Sequence, residues 1–169
     1  KPMVKTPYPD VEPDLDDEQF GQLVAFVDTL PRPEVVVPEG KREQVERGRA
    51  VFGAVGCAIC HTPDVGGVEG VYSDFLLHRV EERRPGSGGQ YEILELPDAP
   101  IPVEHPKPDE WKTPPLWGVA DSAPYFHDGA ATTLEMAILR HRGDADPVTD
   151  AFKALDAGDR EAMMTFLRS

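Results

Sequence analysis

Phe20, Leu23, Val24, Val27 and Leu30 recur at helical spacing with polar residues between them, which predicts a helix that starts at Asp16 and presents one apolar face. Asp16 and Asp17 suit its N-terminus, where the helix dipole favours negative charge. Pro31-Arg32-Pro33 stops it, and Glu34–Gly40 reads as a linker. A second helix is predicted from about Lys41 to Val55, with Val45, Gly48 and Phe52 on one side and Glu43, Glu46 and Arg49 mainly on the other. Residues 62–115 then lose sustained periodicity. Seven prolines fall between Pro97 and Pro115, and Gly86-Ser87-Gly88-Gly89 adds a hinge. So long an irregular stretch needs something other than secondary structure to organise it.

Order returns after Trp111. Thr132-Thr133-Leu134-Glu135 reads as a capping box, with Thr132 at the N-cap, opening a helix to about Arg142 that Gly143 ends. Asp146-Pro147 caps and starts a short helix carrying Phe152 and Leu155. Asp159 begins the last, with Met163, Phe166 and Leu167 as its stripe. The fold class is therefore mainly α, with a long irregular Pro/Gly-rich middle segment. Residues 1–40 form an N-terminal arm, helix and linker, a remnant of or contact to a second domain, and 41–169 form the main domain. The first 15 residues hold four prolines and no periodicity, and read as an arm that needs a partner surface. The chain opens at Lys1 without an initiator Met or a signal-peptide pattern, and reads as a processed or trimmed product.

Charge narrows the function classes. Thirty-one acidic residues against 17 basic ones give −14, which argues against a nucleic-acid groove and against docking on anionic lipid. No apolar run approaches the ~20 residues of a spanning helix.

The chemistry lies in Cys57-Ala58-Ile59-Cys60-His61, the C-x-x-C-H attachment pattern of one covalent c-type haem. Two thiols three residues apart reach the two vinyl-derived carbons of one porphyrin, and His61 follows as proximal iron ligand. A thioredoxin-like pair would want a βαβ pattern, and none is visible. A zinc site would need two further ligands, and no second Cys pair exists, although five histidines keep it open. A disulfide across two residues would close too small a ring to stabilise much.

The group on the far side of the iron decides between electron transfer and reactivity. The candidates are His78, His105, His127, His141, Met3, Met136, Met163 and Met164. Leu134, Ala137, Ile138 and His141 share one helical stripe, so His141 is expected to project inward as distal ligand, whereas Met136 looks outward. His127, in Tyr125-Phe126-His127-Asp128-Gly129, is expected near the haem, with Asp128 able to polarise it. His105 reads as solvated, His78 as packing, and Met163 and Met164 as core. Trp111, Trp117 and Tyr125 are expected to pack rather than relay electrons.

Lys112-Thr113-Pro114-Pro115-Leu116-Trp117-Gly118-Val119, then Ala123-Pro124-Tyr125-Phe126-His127-Asp128-Gly129, then Thr133-Leu134-Glu135 through His141, resemble the C-terminal haem domain of the bacterial dihaem cytochrome c peroxidase superfamily. Gly70-Val71-Tyr72-Ser73-Asp74-Phe75-Leu76-Leu77-His78 is similar to its dihaem oxidoreductase branch. The resemblance runs from about Val45 to the C-terminus. It implies a cytochrome c-like haem domain that passes electrons from a soluble donor to a second haem, and it places His141 where the peroxidases carry methionine. It also implies attachment of the haem outside the cytoplasm, hence an exported, periplasmic protein. The family has two C-x-x-C-H sites and this chain one, so the peroxidatic half is missing here.

The reading is electron transfer through a bis-histidine haem c held by Cys57, Cys60, His61 and His141. The expected partner is a redox protein with a basic patch or a second haem domain. Two alternatives stay open: a peroxidase-like haem oxidoreductase acting at this haem or a second one, and an assembly subunit of a larger haem complex.

Overall fold

The computed structural model describes residues 14–31, 33–80 and 110–169. Within them the chain is mainly helical: α1 (Asp17–Asp28), α2 (Arg42–Val55), α3 (Leu134–Arg140), α4 (Asp146–Lys153) and α5 (Ala157–Leu167). The Met3 and His105 candidates, residues 1–13 of the arm, and the Gly86–Gly89 hinge with Pro97–Pro108 lie outside the described residues.

The core is built where α2 crosses α5. Val45 and Phe52 of α2 meet Met163, Met164, Phe166 and Leu167 of α5, joined by Leu134 and Phe152. Gly48 makes the crossing close, since a methyl group at that position would overlap the Ala162 carbonyl. The predicted side of α2 is the buried one: Val45, Gly48 and Phe52. Met163 and Met164 are core residues and Met136 faces outward, as the stripes implied. Each fully buried Phe or Met contributes about 1.5–3 kcal/mol.

Two strands, β1 (Leu77–Arg79) and β2 (Glu110–Lys112), form an antiparallel ribbon that pairs His78 with Trp111. They are too short for periodicity to announce them. The ribbon ties together the two ends of the segment 80–110.

Three helix starts differ from the sequence reading by one to three residues. Thr133, not Thr132, caps α3: its backbone is extended and its Oγ1 accepts the Met136 N–H at 3.1 Å. Thr132 turns to the Met136 sulfur instead, and Glu135 pairs with Arg160 at 3.2 Å rather than closing a capping box. α4 begins at Asp146 with Pro147 in its first turn and Ala145 as N-cap. α5 is capped by Asp156, whose carboxylate accepts from the Asp159 N–H. A short polar side chain caps wherever extended backbone precedes the first turn, and neighbouring Thr or Asp residues compete for that place.

α1 forms where predicted, and Asp16 with Gln19 makes a reciprocal capping box. It buries none of its residues.

Candidate functional site

The first half of the site grows out of α2. Gly56, at φ +103, ends the helix in the left-handed region that glycine adopts without strain, and the chain turns into a 3-10 segment, Cys57–Ile59. The turn is closed by the His61 N–H to the Cys57 carbonyl at 2.9 Å. Asp74 N–H to Cys60 O and Ser73 N–H to Thr62 O, both 2.9 Å, bind the following loop to it. Ser73 is fully buried, donates to the Thr113 carbonyl at 2.8 Å and so ties this loop to the residues after β2.

Within that frame His61 has a fixed tautomer. Its Nδ1 lies 3.0 Å from the Tyr72 carbonyl. A carbonyl only accepts, so Nδ1 carries the proton and Nε2 presents a lone pair, the arrangement metal-binding histidines adopt. Burial pushes the His61 pKa down to about 4, a nearby charge on His141 works in the same direction, and Tyr72 opposes both. Phe52, with Tyr72 and Phe166 packed edge-on around it, lies 6.3 Å from the His61 ring.

The second half comes from the end of α3. His141 is not inside the helix, as the stripe argument assumed, but at its C-cap with extended backbone (φ −60, ψ 129). Its ring is nonetheless partly buried, and Nδ1 donates to the Ala137 carbonyl at 2.7 Å. This orients Nε2 as an acceptor in the same sense as His61. Thr149, almost wholly buried on α4, donates to the His141 carbonyl at 2.9 Å and so fixes the turn. Thr149→Val, which keeps the shape and removes the donor, should lower stability by about 1–2 kcal/mol in urea melts because the His141 carbonyl loses its partner.

Backbone strain gathers at the same place. Among the described residues, Tyr72 (φ 51), Phe75 (φ 57) and Phe126 (φ 67) are the non-glycine residues in the left-handed region. Tyr72 supplies the carbonyl to His61, and Phe126 sets its ring 5.3 Å from the His141 ring and 4.7 Å from the Arg140 guanidinium carbon. Side chains with a Cβ occupy that region at a cost of order 1–3 kcal/mol, and such outliers concentrate at functional sites.

The thiols are not poised for redox exchange. Burial raises the Cys57 thiol to about 11, and burial with the Asp74 and Asp144 charges raises Cys60. A catalytic C-x-x-C pair needs a depressed thiol instead.

The remaining candidates sort themselves. His127 is exposed and stacks flat on Trp111, centroids 3.7 Å apart. Asp128 forks to Arg140 at 2.6 and 2.8 Å, and that pair holds its carboxyl below the usual range. Trp117 is 40% exposed and donates to the Gly70 carbonyl, while the Tyr125 hydroxyl donates to Val119. His78 and Asp74 are what the sequence reading undervalued. His78 Nε2 lies 2.7 Å from the Asp74 carboxylate, and with the Cys60 sulfur their donor atoms fall within 4.8 Å of one another. Although desolvation works the other way, hydrogen bonds from the Leu76 N–H, His78 and Thr113 keep Asp74 below the ordinary carboxyl value. The i, i+4 spacing of Asp74 and His78 was the available signal, but it falls on a loop entering β1, where helical spacing carries no meaning.

Comparison with known proteins bears on this arrangement. Residues 97–169 match the family described as "Di-haem oxidoreductase, putative peroxidase". The matched segment contains His141 and begins after the C-x-x-C-H turn. Over 122 residues the chain is 32% identical to the hydrazine synthase subunit gamma of Kuenenia stuttgartiensis, covering 62% of this chain and 35% of that protein. The chain thus spans about a third of that relative's length. In three dimensions it matches the Kuenenia stuttgartiensis hydrazine synthase determined under 20 bar xenon, with a TM-score of 0.61 and 23% identity over 91% of this chain and 55% of that one. That likeness shows a shared fold.

Proposed function

We propose, from the match of residues 97–169 to the di-haem oxidoreductase family, that this chain is an electron-transfer domain built around one covalent haem c. Cys57 and Cys60 would hold the porphyrin as thioethers, with His61 as proximal and His141 as distal iron ligand. One observation carries the reading. Two histidines from opposite ends of the domain each give Nδ1–H to a main-chain carbonyl, keep Nε2 as an acceptor, and lie close enough for charge on one to act on the other.

The donor set fits this group. Neutral imidazoles are the state iron takes, and the burial that keeps His61 neutral also removes proton competition for Nε2. The haem would supply a reversible one-electron iron couple. The protein's share is to fix two imidazoles and to surround them with Phe52, Tyr72 and Phe126. Held by His61 and His141, the iron would exchange electrons without binding a substrate, at a potential below that of a haem held by His and Met. The haem oxidoreductase-like family and the subunit name of the relative support a place in a larger assembly, with a redox partner or second haem domain alongside. Because haem c is attached outside the cytoplasm, the proposal includes export to the periplasm.

The test is a pyridine haemochrome assay on the chain co-expressed with a haem c attachment system. One haem per chain with a two-thioether spectrum, lost in Cys57→Ser/Cys60→Ser, is expected, and a haem-free product would end the reading. The same assay judges the rival suggested by Cys60, Asp74 and His78, a zinc-like site. That rival requires a free Cys60 thiolate and stoichiometric metal without haem.

The folded His61 titrates at about 4 and an unfolded one near 6.5, so between these values the unfolded chain binds more protons. For the chain before haem attachment, stability should therefore be full above about pH 6.5 and fall by about 3 kcal/mol as the pH drops towards 4. His61→Gln should flatten that slope in urea melts taken across the window.

A further inference from the structure

The apolar face of α1 covers nothing in the described residues. Phe20, Leu23, Val24, Phe26, Val27 and Leu30 are each between 43% and 60% exposed. An isolated helix of 12 residues is marginal in water and gains its stability by packing its apolar side. The linker continues the strip with Val35 and Val36, exposed by 61% and 70%.

Charge selects what can cover it. From residue 14 to residue 31 the chain carries Asp14, Asp16, Asp17, Glu18 and Asp28 and no Lys or Arg. Two copies laid face to face would set Asp16, Asp17 and Glu18 against each other or against Asp28, whichever way the helices run. Like charges in register oppose that pairing. Anionic lipid is repelled for the same reason. A surface with an apolar floor and a cationic border answers both the apolar strip and its acidic ends.

We propose that α1 is a docking helix for a different polypeptide, a protein subunit whose apolar groove is flanked by Lys and Arg. Phe20, Val24 and Val27 enter the groove, and the acidic residues at both ends of the helix meet its basic rim. Helix-in-groove recognition reads anchors at i, i+4 and i+7 in this manner. No residue of α1 belongs to the His61–His141 site, so the inference stands whether or not the haem reading does.

The assembly isolated from the native host through a tag on this chain, treated with a carbodiimide that joins carboxylate to amine without a spacer, tests it. Amide links from Asp16, Asp17, Glu18 or Asp28 to lysines of another polypeptide are expected. Phe20→Asp/Val24→Asp should weaken retention of that polypeptide by about tenfold or more. Because α1 has no buried residue among the described ones, the double variant is expected to keep the parent's melting temperature, which separates lost docking from lost folding. Links confined to this chain, or retention unchanged in the double variant, would overturn the proposal. So would an α1-dependent dimer in sedimentation of the isolated chain, or α1-dependent flotation with phosphatidylcholine–phosphatidylglycerol vesicles.

Discussion

Replacing His141 by alanine should convert the haem-loaded chain from a low-spin to a high-spin spectrum in both redox states, and added imidazole should restore the low-spin bands. The expectation follows from orientation rather than from proximity alone. His141 donates Nδ1–H to Ala137 O at 2.7 Å, its carbonyl is tied to Thr149, and Phe126 flanks its ring. The ring is thus oriented by Ala137 and Phe126 on a backbone that Thr149 fixes, with Nε2 as an acceptor atom. His127→Ala and His78→Ala serve as controls: His127 is stacked on Trp111 and His78 is held by Asp74, so neither change should alter the spin state. His141→Met should keep the low-spin state and raise the potential, since methionine ligation favours the reduced iron. A low-spin spectrum unaltered in His141→Ala would remove His141 from the iron.

The helices were legible because their apolar spacing and proline boundaries are local signals, as Val45, Gly48 and Phe52 on α2 illustrate. His141 was singled out by a wheel drawn one residue too far. The helix ends at Arg140, yet the C-cap turn still places the imidazole inward because Thr149, eight residues on, holds its carbonyl. That pin is a tertiary contact, which no local pattern contains. The same holds for Asp74 and His78: a three-residue strand and a strained Phe75 bring them beside Cys60. Tyr72 shows the limit most clearly. Its side chain reads as core, and its service to His61 is through a carbonyl presented by a left-handed backbone, which residue type does not disclose. The reverse failure is α1, whose pattern promised a buried face that none of the described residues covers.

Gly48→Val should lower the melting temperature by about 6–12 °C, corresponding to about 3 kcal/mol for a chain of this size. A Cβ there would overlap the Ala162 carbonyl and lie 2.7 Å from Phe166 Cβ, so the obstacle is α5's own backbone and not a side-chain tip that can swing aside. α5 cannot retreat without loosening Met163, Met164, Phe166 and Leu167, which with Phe52 and Phe152 make the core. Gly53 gives the opposite sign on the same helix. Nothing lies within 4 Å of a Cβ placed there, so Gly53→Ala should gain stability, by up to about 1 kcal/mol, from helix propensity alone. The pair of melts therefore separates a close helix crossing from a general dislike of side chains on α2. The site is expected to register the first change as well. α2 runs directly through Gly56 into the Cys57–Cys60 turn, so a displaced α2 moves His61 relative to Tyr72 and His141, and Gly48→Val should lower haem incorporation where Gly53→Ala leaves it intact. Equal melting temperatures for the two variants would mean that α2 and α5 cross further apart than a glycine contact allows.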